Sequence, residues 1–160
     1  FPNFNLLVNS ASIFLPNTFG AQNLNLFESH WNINFKAPYI LSCEFARLVK
    51  KGQIINFIDT NVVKYQSFYE DYLLTKKALG EFTKMAAVSW GPHIRVNGIA
   101  PGMILPPVNH QKDDRLARAK KIPLKRVGEP QNILKTVQYL IDNSYLTGQI
   151  IAVDGGEQLV

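Results

Sequence analysis

Short apolar runs that alternate with longer amphipathic stretches are the feature that most limits what this sequence can fold into. Four runs have the length and composition of buried strands, at 5–8, 53–58, 94–99 and 149–153. Continuous apolar runs are typical of strands buried on both faces of a parallel sheet. The intervening stretches carry apolar residues at helical spacing, at 27–50, 65–88 and from Pro130 onward. Because strands and helices alternate, we predict an α/β fold with a parallel sheet, its strands in chain order, between two layers of helices.

The composition bounds the class of protein. At 160 residues the chain suits a single domain that buries roughly 70% of its unfolded surface. No run approaches the roughly 20 apolar residues of a membrane span, and no signal peptide is visible, so we expect a soluble, cytoplasmic protein without a membrane partner. The single cysteine, Cys43, can form no internal disulfide, and packing is its expected role. The chain opens at Phe1 and enters a strand pattern at once, as if cut from something longer.

Basic residues concentrate between Lys112 and Arg126, within a chain whose net charge is +5. A solvated helix and loop is favoured over a nucleic-acid patch there, because no aromatic side chains interleave the charges as a stacking platform. The sequence also has no His/Cys cluster at metal-ligand spacing and no Gly-x-Ser-x-Gly elbow. We therefore expect no nucleic-acid partner and no metal site.

Tyr72 and Lys76 are the strongest candidates for chemistry. They are four residues apart, which on a helix places both side chains on one face. A nearby ammonium favours the phenolate, so such a pair can exchange a proton with a reacting group. Asp59 ends the preceding strand, at the edge of an open α/β sheet where ligands collect. From the residues alone, a solvated lysine and a half-buried tyrosine stay the alternative.

Small and polar residues follow the first predicted strand. The segment Asn9–Ser12 suits a backbone that passes close to a ligand, or an ordinary strand exit. Phe14 can stack on a planar ligand or cover the core. Within the predicted helix 27–50, Pro38 has no N–H, so a kink is expected there and the carbonyl of Asn34 should lose its helical partner. A buried free carbonyl costs roughly 1–3 kcal/mol, so we expect a water or a lysine to bind it.

In order and spacing, these segments resemble the C-terminal two thirds of a short-chain dehydrogenase/reductase, a family with a Rossmann-like fold. The segments that carry the resemblance are Asn9-Ser10-Ala11-Ser12, Asn34, Tyr72-Leu73-Leu74-Thr75-Lys76, Arg95-Val96-Asn97-Gly98-Ile99-Ala100-Pro101-Gly102, Leu146-Thr147-Gly148 and Val153-Asp154-Gly155-Gly156. The resemblance implies that Tyr72 is the general acid, that Lys76 lowers its pKa and holds the nicotinamide ribose, and that Asn34 supports a proton relay through a water. It also implies cofactor contacts at Asn9, Ala11, Tyr72, Lys76, Pro101, Gly102 and Ile104.

The chain departs from the family at one catalytic position. The usual serine lies thirteen residues before the tyrosine, where this chain has Asp59. A carboxylate only accepts hydrogen bonds, so it cannot polarise a ketone as a hydroxyl does. Asp59, Phe14 and Ala37-Pro38-Tyr39 together are similar to the pteridine and dihydromonapterin reductases of the family. That likeness implies a pterin substrate contacted by Ser12 and Phe14 and protonated by Asp59 and Tyr72, whereas Asp59 as a strand-end cap is the alternative.

One part of the family's fold is missing from the sequence. No Gly-x-Gly-x-x-Gly or related turn occurs, so no segment can hold a pyrophosphate in the usual Rossmann manner. We expect one Rossmann-like domain, 1–160, truncated at its N-terminus. It is expected to use NADPH if the fold is complete, and a fragment without a cofactor stays the alternative. Three functions stay open: an NADPH-dependent pterin reductase or its catalytic part, a cofactor-deficient scaffold, and a general carbonyl reductase. Pairing through the helices at 27–50 and 65–88 is expected to give a dimer or tetramer.

Overall fold

The computed structural model describes residues 4–20, 23–65, 68–105 and 115–160. The strands are β1 Leu6–Asn9, β2 Gly52–Phe57, β3 Ile94–Pro101 and β4 Ile150–Val153. The α-helices are α1 Leu24–Trp31, α2 Ala37–Leu48, α3 Glu70–Trp90, α4 Arg115–Ala119 and α5 Pro130–Asp142. A π-helical turn, Asn32–Lys36, joins α1 to α2, and 3-10 turns at Thr60–Val63 and Glu157–Leu159 follow β2 and β4.

The four strands form one parallel sheet in the order β1-β2-β3-β4. Asn9 lies opposite Asn56, Phe57 opposite Ile99, and Pro101 opposite Val153. The predicted α/β parallel sheet, with strands in chain order, is confirmed. Because the carboxyl ends of parallel strands share one edge, the residues that follow all four strands come together there.

Two apolar clusters cover the two faces of the sheet. Adjacent residues of a strand point to opposite faces, and Ile54 and Ile55 of β2 accordingly belong to different clusters. The first cluster joins the sheet to α2 and α3 through Phe45, Ala86, Ala87, Ile94 and Val96. The second joins it to α5 through Ile99, Ile133 and Leu140. The result is the predicted three-layer arrangement.

The Arg95-Val96-Asn97 part of the family-like segment has a structural task. The Arg95 guanidinium donates to the carbonyls of Leu140 (2.9 Å) and Leu146 (2.7 Å), at the end of α5 and in the connection to β4. The Asn97 side chain donates to the same Leu146 carbonyl at 2.9 Å and accepts from the Gln149 N–H at 3.0 Å. These contacts fix the α5–β4 connection and, with it, the register of β4.

The predicted helix over 27–50 differs from the observed one at both ends. It begins at Leu24, because the Asn23 side chain caps it by accepting from the Leu26 N–H, and it ends at Leu48. Near the position of the expected kink, the helix widens into the π turn, where the Ala37 N–H bonds to the Asn32 carbonyl; the kink itself stays a prediction. Pro38 then lies in the first turn of α2, directly after the π turn. The partner of the Asn34 main-chain carbonyl stays a prediction.

Other boundaries also moved. The second predicted helix, at 65–88, is observed as Glu70–Trp90, and the separate 3-10 turn Thr60–Val63 precedes it. The third strand extends to Pro101. Of the long connection predicted at 103–128, residues 106–114 lie outside the described residues, and α4 falls within the short helix predicted around 114–121. No described helix has the length and apolar character needed to cross a membrane.

Candidate active site

Tyr72 and Asp59 meet at the carboxyl edge of the sheet. Tyr72 lies in the first turns of α3, and Asp59 is two residues beyond β2. The Tyr72 hydroxyl donates to Asp59 Oδ2 at 2.7 Å, and only 6% of Tyr72 is exposed. The other carboxylate oxygen, Oδ1, accepts from the Asn61 N–H (2.7 Å) and its side-chain amide (2.9 Å). Asp59 therefore both caps the 3-10 turn and holds Tyr72, so the two interpretations of Asp59 coexist.

Lys76 lies one helical turn beyond Tyr72 and is 2% exposed. Its Nζ donates to the Phe57 carbonyl at 2.9 Å and stands 5.8 Å from the centre of the Tyr72 ring. Burial lowers the pKa of Lys76 to about 8, although the Asp59 carboxylate opposes that shift. Asp59, Tyr72 and Lys76 thus converge as the sequence predicted.

The expected effect on the tyrosine is wrong in direction. We expected Lys76 to lower the pKa of Tyr72, but burial, and then the charge and hydrogen bond of the Asp59 carboxylate, raise that pKa above its ordinary value. The physical reasons are that burial disfavours the charged phenolate, and that a carboxylate repels a phenolate and accepts a bond from the neutral phenol. In this arrangement Tyr72 is a phenol that keeps its proton at neutral pH.

Asn34 holds the loop after β1. It is fully buried in the π turn, and its Oδ1 accepts from the Ile13 N–H at 2.8 Å and from the Ser12 hydroxyl at 3.1 Å. Its Nδ2 donates back to the Ile13 carbonyl at 3.0 Å. The Asn34 side chain therefore fixes the backbone immediately before Phe14, a role separate from the predicted main-chain relay.

Phe14 lies beside Tyr72. Its ring is 44% exposed, meets the Tyr72 ring edge to face at 4.7 Å, and stacks on the Tyr69 ring at 4.3 Å with an interplanar angle of 9°. Sequence reasoning missed Tyr69, which is the N-cap residue of α3, three positions before Tyr72. The two rings and Tyr72 form one aromatic wall of the site.

The cofactor contacts predicted after β1 and β3 lie at the same sheet edge. Asn9 is buried, and its Nδ2 donates to Ser42 Oγ (3.1 Å) and to Asn56 Oδ1 (2.8 Å), so these donors serve the packing of β1. Ala11 is exposed in the loop. Pro101 ends β3, and Gly102 donates its N–H to the Val153 carbonyl at 3.1 Å. Ile104 lines a cavity of about 480 Å³ with Met103, Arg126, Asn132 and Asp154.

Sequence reasoning also missed a buried histidine, His30. His30 of α1 is fully buried, and its ring meets that of Tyr72 at 6.4 Å. Asp71 is its charged neighbour and accepts a hydrogen bond from the Asn17 side-chain amide. Asn17 also donates its N–H to the Phe68 carbonyl at 3.0 Å. The loop that carries Phe14 is thus anchored by Asn34 on one side and by Asp71 on the other.

Metal chemistry has no visible support in the described part of the chain. Within those ranges, no group of three or more His, Cys, Asp or Glu side chains could hold a metal ion.

The fold and site define a Rossmann-like α/β protein with a tyrosine, a lysine and an aspartate at the carboxyl edge of its sheet. A family model described as enoyl-(acyl carrier protein) reductase matches residues 1–158. The chain is 31% identical over 166 residues to L-xylulose reductase of Mus musculus, covering 94% of this chain and 66% of that protein. It is 27% identical over 163 residues to dihydromonapterin reductase of Citrobacter koseri, covering 99% and 68%.

Solved structures agree with these relatives. FolM alternative dihydrofolate reductase 1 from Brucella suis, in complex with NADP, superposes with a TM-score of 0.93 and 37% identity, covering 98% of this chain and 64% of that one. The chain belongs to the short-chain dehydrogenase/reductase family. It spans about two thirds of the length of these relatives.

Proposed function

We propose that this chain is an NADPH-dependent reductase of pterins or dihydropterins, or the catalytic part of one. The observation that carries the proposal is the 2.7 Å hydrogen bond from the Tyr72 hydroxyl to Asp59 Oδ2. The Asp59 carboxylate is a hydrogen-bond acceptor at the position where most members of the family have a serine hydroxyl. The names of two relatives, a dihydromonapterin reductase and an alternative dihydrofolate reductase bound to NADP, support the same substrate class.

The chemistry of Asp59 favours a heterocycle over a simple ketone. A carboxylate accepts hydrogen bonds and cannot donate one to a carbonyl oxygen. The ring N–H and amino groups of a pterin are donors that a carboxylate can accept, with the added strength of a charge-assisted bond. Asp59 would therefore orient the ring, and Tyr72, which keeps its proton at neutral pH, would deliver a proton to a ring nitrogen.

Phe14 supplies the complementary surface for a planar substrate. It is a partly exposed ring held in place by Asn34 and by its stack on Tyr69. Aromatic stacking contributes about 0.5–1.5 kcal/mol beyond the burial of area. A flat bicyclic ring would cover Phe14 while its edge reaches Asp59 and Tyr72.

The residues present fit the nicotinamide end of an NADPH molecule. Lys76 offers a buried ammonium with three donors, one of which already bonds to the Phe57 carbonyl. Pro101, Gly102 and Ile104 lie at the same sheet edge and would border the ring. NADPH, when bound, supplies the hydride. Lys76 would hold the ribose hydroxyls, while Tyr72 holds its proton beside Asp59 until the substrate accepts it.

The proposal is tested with the full-length gene product and two substrate classes. With NADPH, we expect kcat/KM for a 7,8-dihydropterin to exceed that for ketones and sugars by about 100-fold or more, because a site built to bind polar ring edges rejects compounds that lack them. Asp59→Ser restores the usual family residue and should reverse this preference. Asp142→Ser, on the exposed end of α5, is the matched control. Efficient ketone reduction by the parent, unchanged by Asp59→Ser, would contradict the proposal and favour a general carbonyl reductase.

A further inference from the structure

The C-terminal turn, defined as Asp154–Leu159, contacts two segments of the candidate site: the turn that follows Asp59 and the turn that follows β3. It has no direct hydrogen bond to Asp59 or Tyr72 among the described contacts. Asp154 follows β4 directly. Its Oδ2 accepts from the Thr60 hydroxyl at 2.5 Å and from the Gln158 N–H at 2.8 Å, and its Oδ1 accepts from the Gly156 N–H at 2.9 Å. Burial opposes ionisation of Asp154, but these hydrogen bonds outweigh it and lower the pKa of the carboxyl. Asp154 is therefore a fixed carboxylate.

The first contact leads to Asp59. Thr60 is the next residue in the chain, is buried, and begins the 3-10 turn that Asp59 caps. Its hydroxyl has Asp154 as acceptor. The other end of that turn is tied to the same segment, because Lys64 Nζ donates to the Glu157 carbonyl at 2.8 Å. The backbone that carries Asp59 is thus held against the C-terminal turn at both ends.

The second contact leads to the turn after β3. Glu157 Oε2 accepts from the Met103 N–H at 3.0 Å. Gly102 packs so tightly here that a Cβ atom would lie 2.6 Å from the Asp154 Cβ and 2.7 Å from Glu157 Oε2. The Pro101–Ile104 backbone is therefore held by Glu157, a different side chain from the one that holds Thr60.

We propose that Asp154 and Glu157 are positioning residues for the reaction, an inference that rests on the proposed function. Asp154 acts through Thr60 and fixes the position of Asp59 relative to the Tyr72 hydroxyl. Glu157 acts through Met103 and sets the backbone that borders the nicotinamide. Displacements of about 1 Å at such positions can cost on the order of 100-fold in rate. Because the two contacts use different side chains, their effects on catalysis and on cofactor binding are separable.

Two matched pairs of variants in the full-length gene product test the two parts of the proposal, one at Thr60 and one at Glu157. Thr60→Val removes the hydroxyl at nearly constant shape, and we expect kcat to fall about 10-fold with little change in KM for NADPH. Thr60→Ser keeps the hydroxyl and should restore kcat. Glu157→Ala should raise KM for NADPH about 10-fold with little change in kcat, and Glu157→Gln, which keeps an acceptor, should restore it. Gln158→Ala keeps the N–H that bonds to Asp154 and is the control.

Amide hydrogen exchange provides a readout that does not depend on turnover. Glu157→Ala should speed exchange of the Met103 amide and leave the Asn61 amide unchanged, whereas Thr60→Val should do the reverse. If these exchange patterns appear in a protein that reduces no pterin, the proposed function fails and the positioning contacts stand. Thr60→Ala replaces Thr60→Val if the valine variant does not fold.

Two outcomes overturn the inference. One is parent-like kinetics and exchange in both Thr60→Val and Glu157→Ala. The other is an equal loss of kcat and of NADPH affinity in both variants, with both amides exchanging faster, which would mean that the C-terminal turn only stabilises the fold.

Discussion

Asp59 determines what Tyr72 can do. With a serine at this position, the Tyr72 hydroxyl would ionise more readily beside Lys76. Burial of the site and the Asp59 carboxylate instead keep Tyr72 as a neutral phenol. Tyr72 therefore carries its proton at neutral pH and is not available as a base that takes a proton from an alcohol. We expect the reductive direction to be favoured over alcohol oxidation at neutral pH.

Removal of the Tyr72 hydroxyl tests the proton donor. Tyr72→Phe keeps the ring that packs against Phe14 and His30 but removes the O–H that bonds to Asp59. We expect kcat to fall by about 100-fold or more, since general acid catalysis typically contributes 10²–10⁴. Tyr139→Phe on α5 is the matched control. Near-normal turnover by Tyr72→Phe in steady-state assays would remove Tyr72 from the mechanism.

The pKa of Lys76 at about 8 predicts a basic limit to activity. As the pH rises through this value, the ammonium that would hold the cofactor ribose is lost, so kcat/KM should decline above about pH 8. Deprotonation of Lys76 does not destabilise the fold, so unfolding is not the cause of this decline in activity. Its folded pKa lies below its unfolded one, so between the two values the unfolded state binds more protons and the stability contribution rises with pH.

A pH–rate profile of the parent and of Lys76→Arg checks this assignment. Arginine stays charged throughout the range, so the basic limb near pH 8 should disappear even if the turnover number is lower. A limb that persists unchanged in Lys76→Arg would have to belong to another group.

At the scale of elements, the apolar pattern of the sequence predicted the positions of the strands. The run at Ile54-Ile55 located β2 because a strand buried on both faces leaves a continuous apolar signal, and the apolar run at Ile150-Ile151 located the half-buried β4. The pattern could not locate the π turn, since apolar spacing changes little when a helix gains one residue. Nor could it pair Thr60 with Asp154 or Met103 with Glu157, because the contacts in each pair join residues far apart in the chain.

The burial of His30 between α1 and α3 predicts acid sensitivity of the fold. Among the described residues, neither ring nitrogen of His30 has a hydrogen-bond partner. Burial lowers the pKa of His30, against the opposing charge of Asp71. The unfolded chain therefore binds a proton more readily, and the free energy of unfolding should decrease as the pH falls below about 6.5, with a slope of up to about 1.4 kcal/mol per pH unit for one proton.

Urea unfolding between about pH 7 and pH 5 measures this slope. His30→Leu should flatten it and leave stability at neutral pH equal or higher, because two unpaired polar atoms are removed. His93→Leu, at an exposed position before β3, should leave the slope unchanged. An equal slope in the parent and in His30→Leu would show that carboxylates alone cause the acid sensitivity.

At the scale of the whole molecule, α2 and α3 leave apolar side chains uncovered. Ile40 and Leu41 of α2 and Met85 and Val88 of α3 are all exposed. Exposed apolar surface on long helices marks an interaction site when it is contiguous, and we propose that a second copy of the chain covers it. Light scattering at tens of micromolar should then give at least a dimer. A monomeric parent would contradict the proposal.

Charge introduced on the same surface provides the matched test. The double variant Met85→Lys/Val88→Lys should be monomeric, because association would have to bury the two added charges. It should still fold, because both side chains are exposed in the single chain. Tyr145→Lys, at the almost fully exposed connection before β4, should associate like the parent.

Cofactor affinity depends on parts of a dinucleotide site that these 160 residues do not contain. A diphosphate is normally held by backbone N–H groups of a glycine-rich turn and by a helix N-terminus, and the sequence has no such turn. The Asn9 amide is committed to Ser42 and Asn56, so under the proposed function only Tyr72, Lys76 and the Pro101–Gly102 segment would contact the nicotinamide and its ribose. We therefore expect most of the usual binding energy to be absent from these residues.

A protein made of these residues alone should therefore bind NADPH only in the millimolar range or more weakly, which corresponds to about 4 kcal/mol. It should show no measurable pterin reduction, although Asp59, Tyr72 and Lys76 stand in position. Calorimetric titration with NADPH, on a sample whose intact mass shows that it begins at Phe1, measures this affinity. The full-length gene product, titrated under the same conditions, is the reference. Micromolar binding by the shorter protein would contradict the prediction, because a partner subunit or an unrecognised segment of this chain would then have to supply the phosphate site.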